Sequence, residues 1–287
     1  MCELVQVSRA SFYRGWEQKA PGEAATALRD AVQRMAVTHR DYGYRRIARL
    51  VKDVGFAVGE EKVRGIMRTD NLLAVRRRKF VVTTDGNHRF LVYPNLAESL
   101  TLSGIDQLWV ADITYIRLRG EFVFLAVVLD AHSRKVIGWE LGRTLETRLP
   151  LAALEAALAS RNPRPGLVHH SDRGTQYASN EYVSRLEACG VHLSMSRPGR
   201  PWENGKCESF MNTLKREEIH ARRYVSLADL RQHLEEFLEQ TYNKTRLHSA
   251  LDYRSPQQFE QSQSVAGNWS PAGLSFSRHE EIYPDAG

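Results

Sequence analysis

The sequence predicts an α/β domain built on a mixed five-stranded sheet flanked by helices, with a small helical domain in front of it. Strand-like and helix-like apolar patterns alternate from residue 107 onward, whereas residues 24–80 show helical patterns alone. Charge divides in the same way, because residues 1–100 carry a net charge of +7 and residues 101–287 a net charge of −1. A basic front half favours a nucleic-acid-binding arm, with an ordinary basic soluble domain as the alternative.

The composition limits the class of protein. With 42% hydrophobic and 26% charged residues, the chain has the balance of a soluble globular protein. Its three cysteines are far apart and form no CxxC pair, which argues against a disulfide framework or a zinc finger and fits a reducing cytosol. The longest apolar run, residues 122–129, is too short to span a membrane, and the N-terminus has no secretory pattern. We therefore expect a protein that stays inside the cell, in the cytosol, without a membrane partner.

Helical patterns cover residues 23–39, 44–54 and 59–69 in the front half. Gly55 ends the second helix, and the short turn after it predicts a helix-turn-helix unit whose last helix enters a major groove. Many small helical domains share this pattern, so it is not specific by itself. We assign residues 1–80 to this DNA-binding domain and residues 81–105, which show little periodicity, to a linker.

Basic side chains in and after the third helix are candidate DNA contacts. Arg64 and Arg68 lie on that helix and would influence sequence preference if it reads bases. Arg76, Arg77 and Arg78 follow it and predict phosphate contacts, with a solvated basic loop as the alternative.

The back half reads as three strands, then alternating helices and strands. The strands at 107–117, 121–130 and 134–142 are joined by short turns and predict an antiparallel meander. The remaining elements follow in the order helix 147–160, strand 166–171, helix 180–189, strand 191–196 and a helix beginning near residue 202. This order is that of an RNase H-like fold, in which acids at strand ends and on the last helix converge at one edge of the sheet. We assign residues 106–260 to this core and 261–287 to a loose tail.

Three acids occupy positions where a carboxylate needs a reason. Asp112 lies inside the strand LWVADITYI (108–116), and Asp172 ends the strand GLVHHSD (166–172). Glu208 falls on the polar face of the last helix, and 35 residues lie between it and Asp172. A structural salt bridge or a solvated face explains each acid taken alone, whereas the three together form a constellation suited to binding metal ions.

Other titratable residues near these acids are alternative candidates for the metal site. Asp130 lies where a strand meets a turn, a position at which Asp commonly bonds to the local backbone, so we give it a structural or supporting role. His169 and His170 precede Asp172, but no third ligand stands at zinc-binding spacing, so we do not predict zinc.

The chain resembles a known family over residues 5–260, roughly. The motifs that carry the resemblance are SRASFYR (8–14), YGYRRI (42–47), DITYI (112–116), HSDRGTQYAS (170–179), ENGKCESFMNTLKRE (203–217) and YNKTRLHSALDYRSP (242–256). It is similar to the DDE transposases of the retroviral-integrase superfamily and, more closely, to the OrfB product of the "IS-three" group of insertion sequences. By position, Asp112, Asp172 and Glu208 correspond to the catalytic triad of that family.

The resemblance implies a metal-dependent DNA transesterification. Water attacks at the transposon end and frees a 3′-hydroxyl, which then attacks a second phosphodiester without a covalent protein intermediate. Moving a phosphodiester in this way suits two divalent ions held by carboxylates, with Mg²⁺ expected and Mn²⁺ as an alternative. The implied partners are double-stranded DNA, as inverted-repeat ends and as target, and an OrfA-type protein or fusion. We also expect a homo-oligomer on DNA.

Further candidate DNA contacts flank the triad. Lys215 lies seven residues after Glu208, close to two helical turns, and would place an ammonium on a neighbouring phosphate; a salt bridge to Glu218 is the alternative. Downstream stand Tyr242, Asn243, Arg246 and His248, an aromatic ring beside basic and amide groups that would hold a DNA strand. The alternative for those four is a turn packed on the core.

Two other functions remain open from the sequence. A metal-dependent nuclease of the same fold would share the triad but would not join DNA strands. A helix-turn-helix regulator with an inactive core would bind DNA without metal and without cleavage.

Overall fold

The computed structural model describes residues 23–73, 92–118, 120–198 and 200–264. The chain divides into two compact units, Met1–Val82 and Thr83–Gly287, which are treated separately below. The predictions for Arg76, Arg77, Arg78 and the tail from residue 265 lie outside the described residues.

Three helices form the first unit in the described part: α1 (Glu23–Thr38), α2 (Tyr44–Asp53) and α3 (Glu60–Thr69). The core between them is made of side chains that recur at helical spacing, among them Val32, Ile47, Val51, Val63 and Met67, all fully buried. Gly55 follows α2 with φ of 99°, a left-handed conformation that glycine adopts at little cost. The predicted helical domain is therefore present as a three-helix unit, and its binding of DNA stays a prediction.

The second unit is organised on a sheet of five strands: β1 (Leu108–Leu118), β2 (Glu121–Asp130), β3 (Val136–Gly142), β4 (Val168–Ser171) and β5 (His192–Met195). Their order across the sheet is β3-β2-β1-β4-β5. The first three strands pair antiparallel, whereas β4 runs parallel to β1 and β5 parallel to β4. This is the mixed, RNase H-like sheet that the element order predicts.

In the described part of the second unit, four helices pack on the sheet: α4 (Arg148–Arg161), α5 (Asn180–Ala188), α6 (Gly205–Leu214) and α7 (Leu227–Glu235). A further helix, α8 (Pro256–Ser264), contacts the segment that follows α7. Alternate residues of β1 supply both layers of the core, because successive side chains of a strand point to opposite faces. Val110 and Ile116 pack with α6 and α7, whereas Trp109 and Ala111 pack with α4 and α5.

The helix α4 approaches β3 closely at Gly138. A Cβ atom at this position would lie 2.2 Å from the carbonyl oxygen of Ala153, so only glycine fits there. On the other side of the sheet, α6 continues in π-helical geometry over Lys215–Ile219, and α7 does so over Glu236–Thr245. The second extension carries the helical segment that begins with α7 on to residue 245.

The segment that the sequence marks as a linker belongs in part to the second unit. Leu96, Leu100 and Leu102 pack against the core beside α6 and α7. The backbone N–H of Leu96 donates to the hydroxyl of Ser194 in β5 at 2.9 Å. These leucines follow no helical or strand period, which is why the pattern does not reveal their burial. No helix in the described ranges is long and apolar enough to cross a bilayer.

Candidate active site

Asp112 and Asp172 stand at the same level of the sheet. Parallel pairing of β1 with β4 sets Val110 opposite His170. Each aspartate lies two residues further along its own chain, Asp112 within β1 and Asp172 directly after β4. Neighbouring strands run about 4.8 Å apart, so continuing this register places Asp172 near Asp112, and the charge of Asp172 acts on the Asp112 carboxylate.

Glu208 joins them from α6. The side-chain amide of Asn204, just before this helix, donates to the carbonyl oxygen of Ala111 at 3.0 Å. The helix is held to the sheet by its buried residues Cys207, Phe210, Met211 and Leu214. Glu208 lies in the first turn on the half-exposed side of the helix, so the start of α6 is fixed beside the strand that carries Asp112.

The charges of the three acids act on one another. Burial, followed by the negative charge of Asp172, raises the pKa of Asp112 to about 7, and Glu208 adds a smaller effect in the same direction. The backbone N–H of Ile113, which donates to Asp112 Oδ1 at 2.8 Å, and the ammonium of Lys215 oppose this rise. Many protein atoms therefore surround the Asp112 carboxylate, although part of its surface stays accessible to solvent.

This donor set fits a hard divalent cation. Carboxylate oxygens are the ligands that Mg²⁺ and Mn²⁺ prefer, and the pKa of Asp112 is raised first by burial and then by the negative charge of Asp172, which a bound cation would offset. The described residues hold no group of three or more His, Cys, Asp or Glu side chains already close enough to enclose an ion. The fit thus rests on ligand chemistry and on mutual repulsion.

Hydrogen bonds and buried rings lie next to the two aspartates. The N–H of Gly174 donates to Asp172 Oδ1 at 2.9 Å. The ring of Tyr177 is buried near both aspartates, and its hydroxyl has no hydrogen-bond partner in the described part of the chain. His169 bonds to the hydroxyl of Tyr182 at 3.0 Å. Neither tyrosine is a candidate from the sequence, because an aromatic residue among apolar neighbours usually signals core packing.

His170 lies in the other layer of the core. Its ring nitrogens bond to the hydroxyls of Ser194 and Ser196 at 2.8 and 2.9 Å. Burial lowers the pKa of His169 to about 3 and that of His170 to about 4, so both imidazoles are neutral at physiological pH. The hydrogen bonds give the two histidines structural roles in this conformation.

Lys215 lies close to the acids. Its ammonium lowers the pKa of Asp112 and stands 5.2 Å from the ring centre of Tyr115, three residues further along β1. The alternative partner, Glu218, instead meets Arg222 at 3.3 Å and the hydroxyl of Tyr224 at 3.0 Å. Lys215, the first residue of the π-helical extension of α6, thus lies near β1, and its contact with DNA stays a prediction.

The buried Asp130 supports the end of the sheet. It accepts hydrogen bonds from the backbone N–H groups of Asp106, His132 and Ser133 at 2.7, 3.0 and 2.7 Å. These bonds fix the turn between β2 and β3, which is the local role that an aspartate at a strand end commonly has.

The four downstream candidates are all buried: Tyr242, Asn243, Arg246 and His248. The amide of Asn243 bonds to both the N–H and the carbonyl oxygen of Val136, at 3.0 and 2.9 Å. Arg246 makes two hydrogen bonds of 2.7 Å to Glu217.

The ring of Tyr242 packs edge-on against Phe210 and His248. In this conformation, therefore, the four residues hold the π-helical extension of α7 to the core. A role in DNA binding stays a prediction that would require them to become accessible.

In the first unit, Arg64 and Arg68 are both exposed on α3. Arg64 pairs with Glu61 at 3.3 Å and lies 5.5 Å from the ring centre of Tyr44. These contacts are weak at an exposed surface and leave the guanidinium accessible.

Models of known protein families match most of the described chain. An integrase core domain matches residues 104–201, a second integrase core domain model matches residues 189–256, and an HTH-like domain matches residues 23–80. The division between them lies where the structure changes from helices alone to the mixed sheet.

Several curated proteins are similar over most of their length. The 31 kDa protein of insertion element IS600 from Shigella sonnei is 32% identical, over 91% of this chain and 97% of its own. The transposase for insertion sequence IS904 from Lactococcus lactis is 34% identical, over 78% of this chain and 88% of its own. The transposase InsF for IS3A from Escherichia coli is 33% identical, over 91% of this chain and 92% of its own.

Solved structures with a similar shape include retroviral integrases. An intasome of simian T-cell lymphotropic virus in complex with a PP2A regulatory subunit aligns with a TM-score of 0.46 at 13% identity, covering 88% of this chain and 80% of that one. The HTLV-2 integrase catalytic core in complex with magnesium aligns with a TM-score of 0.43 at 13% identity, covering 55% and 98%.

Proposed function

The chain belongs to the IS3 family of insertion-sequence transposases, and from this premise we propose that Asp112, Asp172 and Glu208 are the catalytic triad of its DNA cleavage and strand-transfer reactions. The observation that carries the proposal is the register of β1 and β4, which sets the two aspartates at one level beside the start of α6. The mutual effect of the three charges on Asp112 supports the same assignment.

The triad would hold two divalent cations, Mg²⁺ or Mn²⁺. Cations bound there would activate the attacking oxygen and stabilise the leaving oxygen of the phosphodiester. The protein contributes fixed positions for its carboxylates: the hydrogen bonds from Ile113 and Gly174 orient Asp112 and Asp172. A preoriented donor set avoids reorganisation when the substrate binds.

Lys215 is proposed to bind a phosphate next to the reacting one. Its ammonium stands beside the acids but is carried by the far end of α6, so DNA crossing the triad would pass it. A lysine suits this task because a phosphate needs charge more than the fork geometry of arginine.

The substrates are proposed to be double-stranded DNA, as inverted-repeat ends and as target. The HTH-like unit, with Arg64 and Arg68 exposed on α3, would bind the ends, and the basic run Arg76 to Arg78 would contact phosphates. An OrfA-type partner, assembly into a homo-oligomer on DNA and a location with the chromosome in the cytosol remain predictions.

A direct assay tests this function. Purified full-length protein would be incubated with Mg²⁺ and a duplex carrying the inverted repeat that flanks the gene. The expected products are a free 3′-hydroxyl at the end and, in a second step, DNA joined to a target strand. Cleavage without joining would favour the nuclease alternative, and metal-independent binding without cleavage would favour the regulator.

A further inference from the structure

We propose that Trp202 stacks on a base that separates from its partner at the reacting DNA end, next to the scissile phosphate. The inference rests on the proposed function, because it concerns how the DNA reaches the acids. It starts from an exposed indole: 66% of the surface of Trp202 is accessible, whereas Trp109 in the core is fully buried.

Trp202 lies in a loop whose two ends are fixed beside the acids. At the first end, the N–H of Ser196 donates to the carbonyl oxygen of Ser171 at 2.9 Å, next to Asp172. Nε of Arg173 donates to the carbonyl oxygen of Ser196 at 3.0 Å. At the other end, Asn204 bonds to Ala111, next to Asp112. The loop therefore forms one border of the acid site.

Glu203, the residue after Trp202, is held in place by hydrogen bonds to its carboxylate. Glu203 has a side chain that is 5% exposed, and it accepts hydrogen bonds from the backbone N–H and Nε of Arg197 at 2.8 and 2.6 Å. The amide of Asn95 donates to the same carboxylate at 2.9 Å. The two residues that follow Trp202, Glu203 and Asn204, are therefore both anchored by hydrogen bonds.

The indole of Trp202 makes neither a hydrogen bond nor a ring contact with another residue in the described part of the chain. Since consecutive Cα atoms are 3.8 Å apart, its Cα lies at most about 7.6 Å from that of Asn204. Arg200, an exposed cation two residues before it, would attract the DNA backbone to the same border.

The chemistry of the site gives a stacking residue a task. Asp112 lies within β1, the strand between β2 and β4, and is only partly accessible to solvent, so a phosphate in a separated strand would approach its carboxylate more closely than one in a fully paired end. Aromatic side chains accept any base by stacking, and the indole offers the largest ring surface. Trp202 would therefore stabilise the opened end without reading its sequence.

The test compares paired and pre-opened ends. The substrates are the flanking inverted repeat as a perfect duplex and the same duplex with two mismatched pairs at the cleavage site. The variants are Trp202→Ala, Trp202→Leu, which keeps apolar bulk without a ring, and Trp202→Phe, which keeps a ring. Val225→Ala is the control, because Val225 is another exposed apolar side chain in the same unit, 62% accessible.

We expect Trp202→Ala and Trp202→Leu to cleave the perfect duplex on the order of ten- to a hundredfold more slowly, the range that a lost base–aromatic contact implies. On the mismatched duplex the loss should shrink to within about threefold, because the end is already open. Trp202→Phe should cleave both at nearly the wild-type rate. An equal loss on both substrates, or no loss on the perfect duplex, overturns the proposal.

A binding measurement separates this proposal from the function on which it rests. With 2-aminopurine at the terminal position, Asp112→Asn protein should quench the fluorescence by stacking, and the double variant Asp112→Asn with Trp202→Leu should not. If wild-type protein cleaves no faster than Asp112→Asn while the quenching depends on Trp202, the catalytic proposal fails and the stacking stands. Quenching that does not depend on Trp202 overturns the stacking.

Discussion

Asn204 donates a hydrogen bond of 3.0 Å from its side-chain amide to the carbonyl oxygen of Ala111, which ties the start of α6 to the strand residue before Asp112. The bond thereby ties the helix that carries Glu208 to the strand that carries Asp112, although the two acids are 96 positions apart in the numbering of the chain. The carbonyl oxygen of the same side-chain amide, Asn204 Oδ1, is buried without a hydrogen-bond partner in the described part of the chain.

The triad gives the first prediction. Asp112→Asn, Asp172→Asn and Glu208→Gln each keep the shape of the side chain but remove one negative charge. Cleavage and strand transfer should fall by orders of magnitude, while DNA binding by the HTH-like unit should be retained. Gel assays of both steps in Mg²⁺, with Glu187→Gln on the exposed surface of α5 as control, decide this. A variant that cleaves at nearly the wild-type rate removes its residue from the triad.

The sequence predicts the sheet well because its strands are local signals read in order, each a β-branched or apolar run. Asp112 and Asp172 stand out as candidates because carboxylates are rare inside such runs, whereas Glu208 is recognised by its spacing and by the motif around it. The positions of Tyr242, Asn243 and Arg246 were less accessible to sequence reasoning. Their burial depends on Val136 and Glu217, which are distant in sequence, and a turn rich in polar residues gives no periodic signal of such contacts.

The raised pKa of Asp112 gives a prediction for stability. Its folded pKa of about 7 lies above its ordinary value of 3.8, so without metal the ionised carboxylate costs stability as the pH rises from about 4, fully so above about 7. Asp112→Asn should remove this cost and raise the unfolding free energy at pH 8 by on the order of 1–3 kcal/mol in EDTA, but little at pH 4. Thermal melting across this range measures it.

Metal should reverse the order of the two proteins. Mg²⁺ binds ionised carboxylates, so it should stabilise the wild type more strongly as the pH rises and stabilise Asp112→Asn much less. A melting temperature of Asp112→Asn that stays below that of the wild type at pH 8 in EDTA would show that Asp112 is not destabilised by its neighbours.

Arg246 and Glu217 form a buried ion pair, with side chains 3% and 8% exposed. Arg246→Ala would remove two charged hydrogen bonds from the buried Glu217, which keeps its ion pair with the half-exposed Arg216 at 2.6 Å, and should cost about 1.5–3 kcal/mol of stability. The double variant Arg246→Met with Glu217→Gln should recover part of this loss. Thermal melting and DNA binding are measured together, since a normal melting temperature with weakened DNA binding would instead support the predicted DNA contact.

The basic run after the first unit should act on all DNA sequences alike. Changing Arg76, Arg77 and Arg78 to Ala should weaken binding and reduce the slope of log affinity against log salt by about 0.9 for each lost phosphate contact. Arg64→Ala and Arg68→Ala should instead change the preference between the inverted repeat and unrelated DNA, if α3 reads bases. An unchanged salt slope in the triple variant would assign the run to a solvated loop.

Lys215 offers a prediction that separates phosphate binding from folding. Its ammonium helps to hold down the pKa of Asp112, so Lys215→Ala should raise that pKa further and move the pH profile of cleavage upward. The same variant should weaken binding of the specific end and reduce strand transfer more than plasmid nicking, with an unchanged melting temperature. Lys215→Arg should restore much of the activity, because charge is what a phosphate requires. Lys244→Ala, which removes an exposed lysine of the same unit, should behave as wild type. Full activity in Lys215→Ala, or a large fall in its melting temperature, would assign Lys215 to a structural role on the ring of Tyr115.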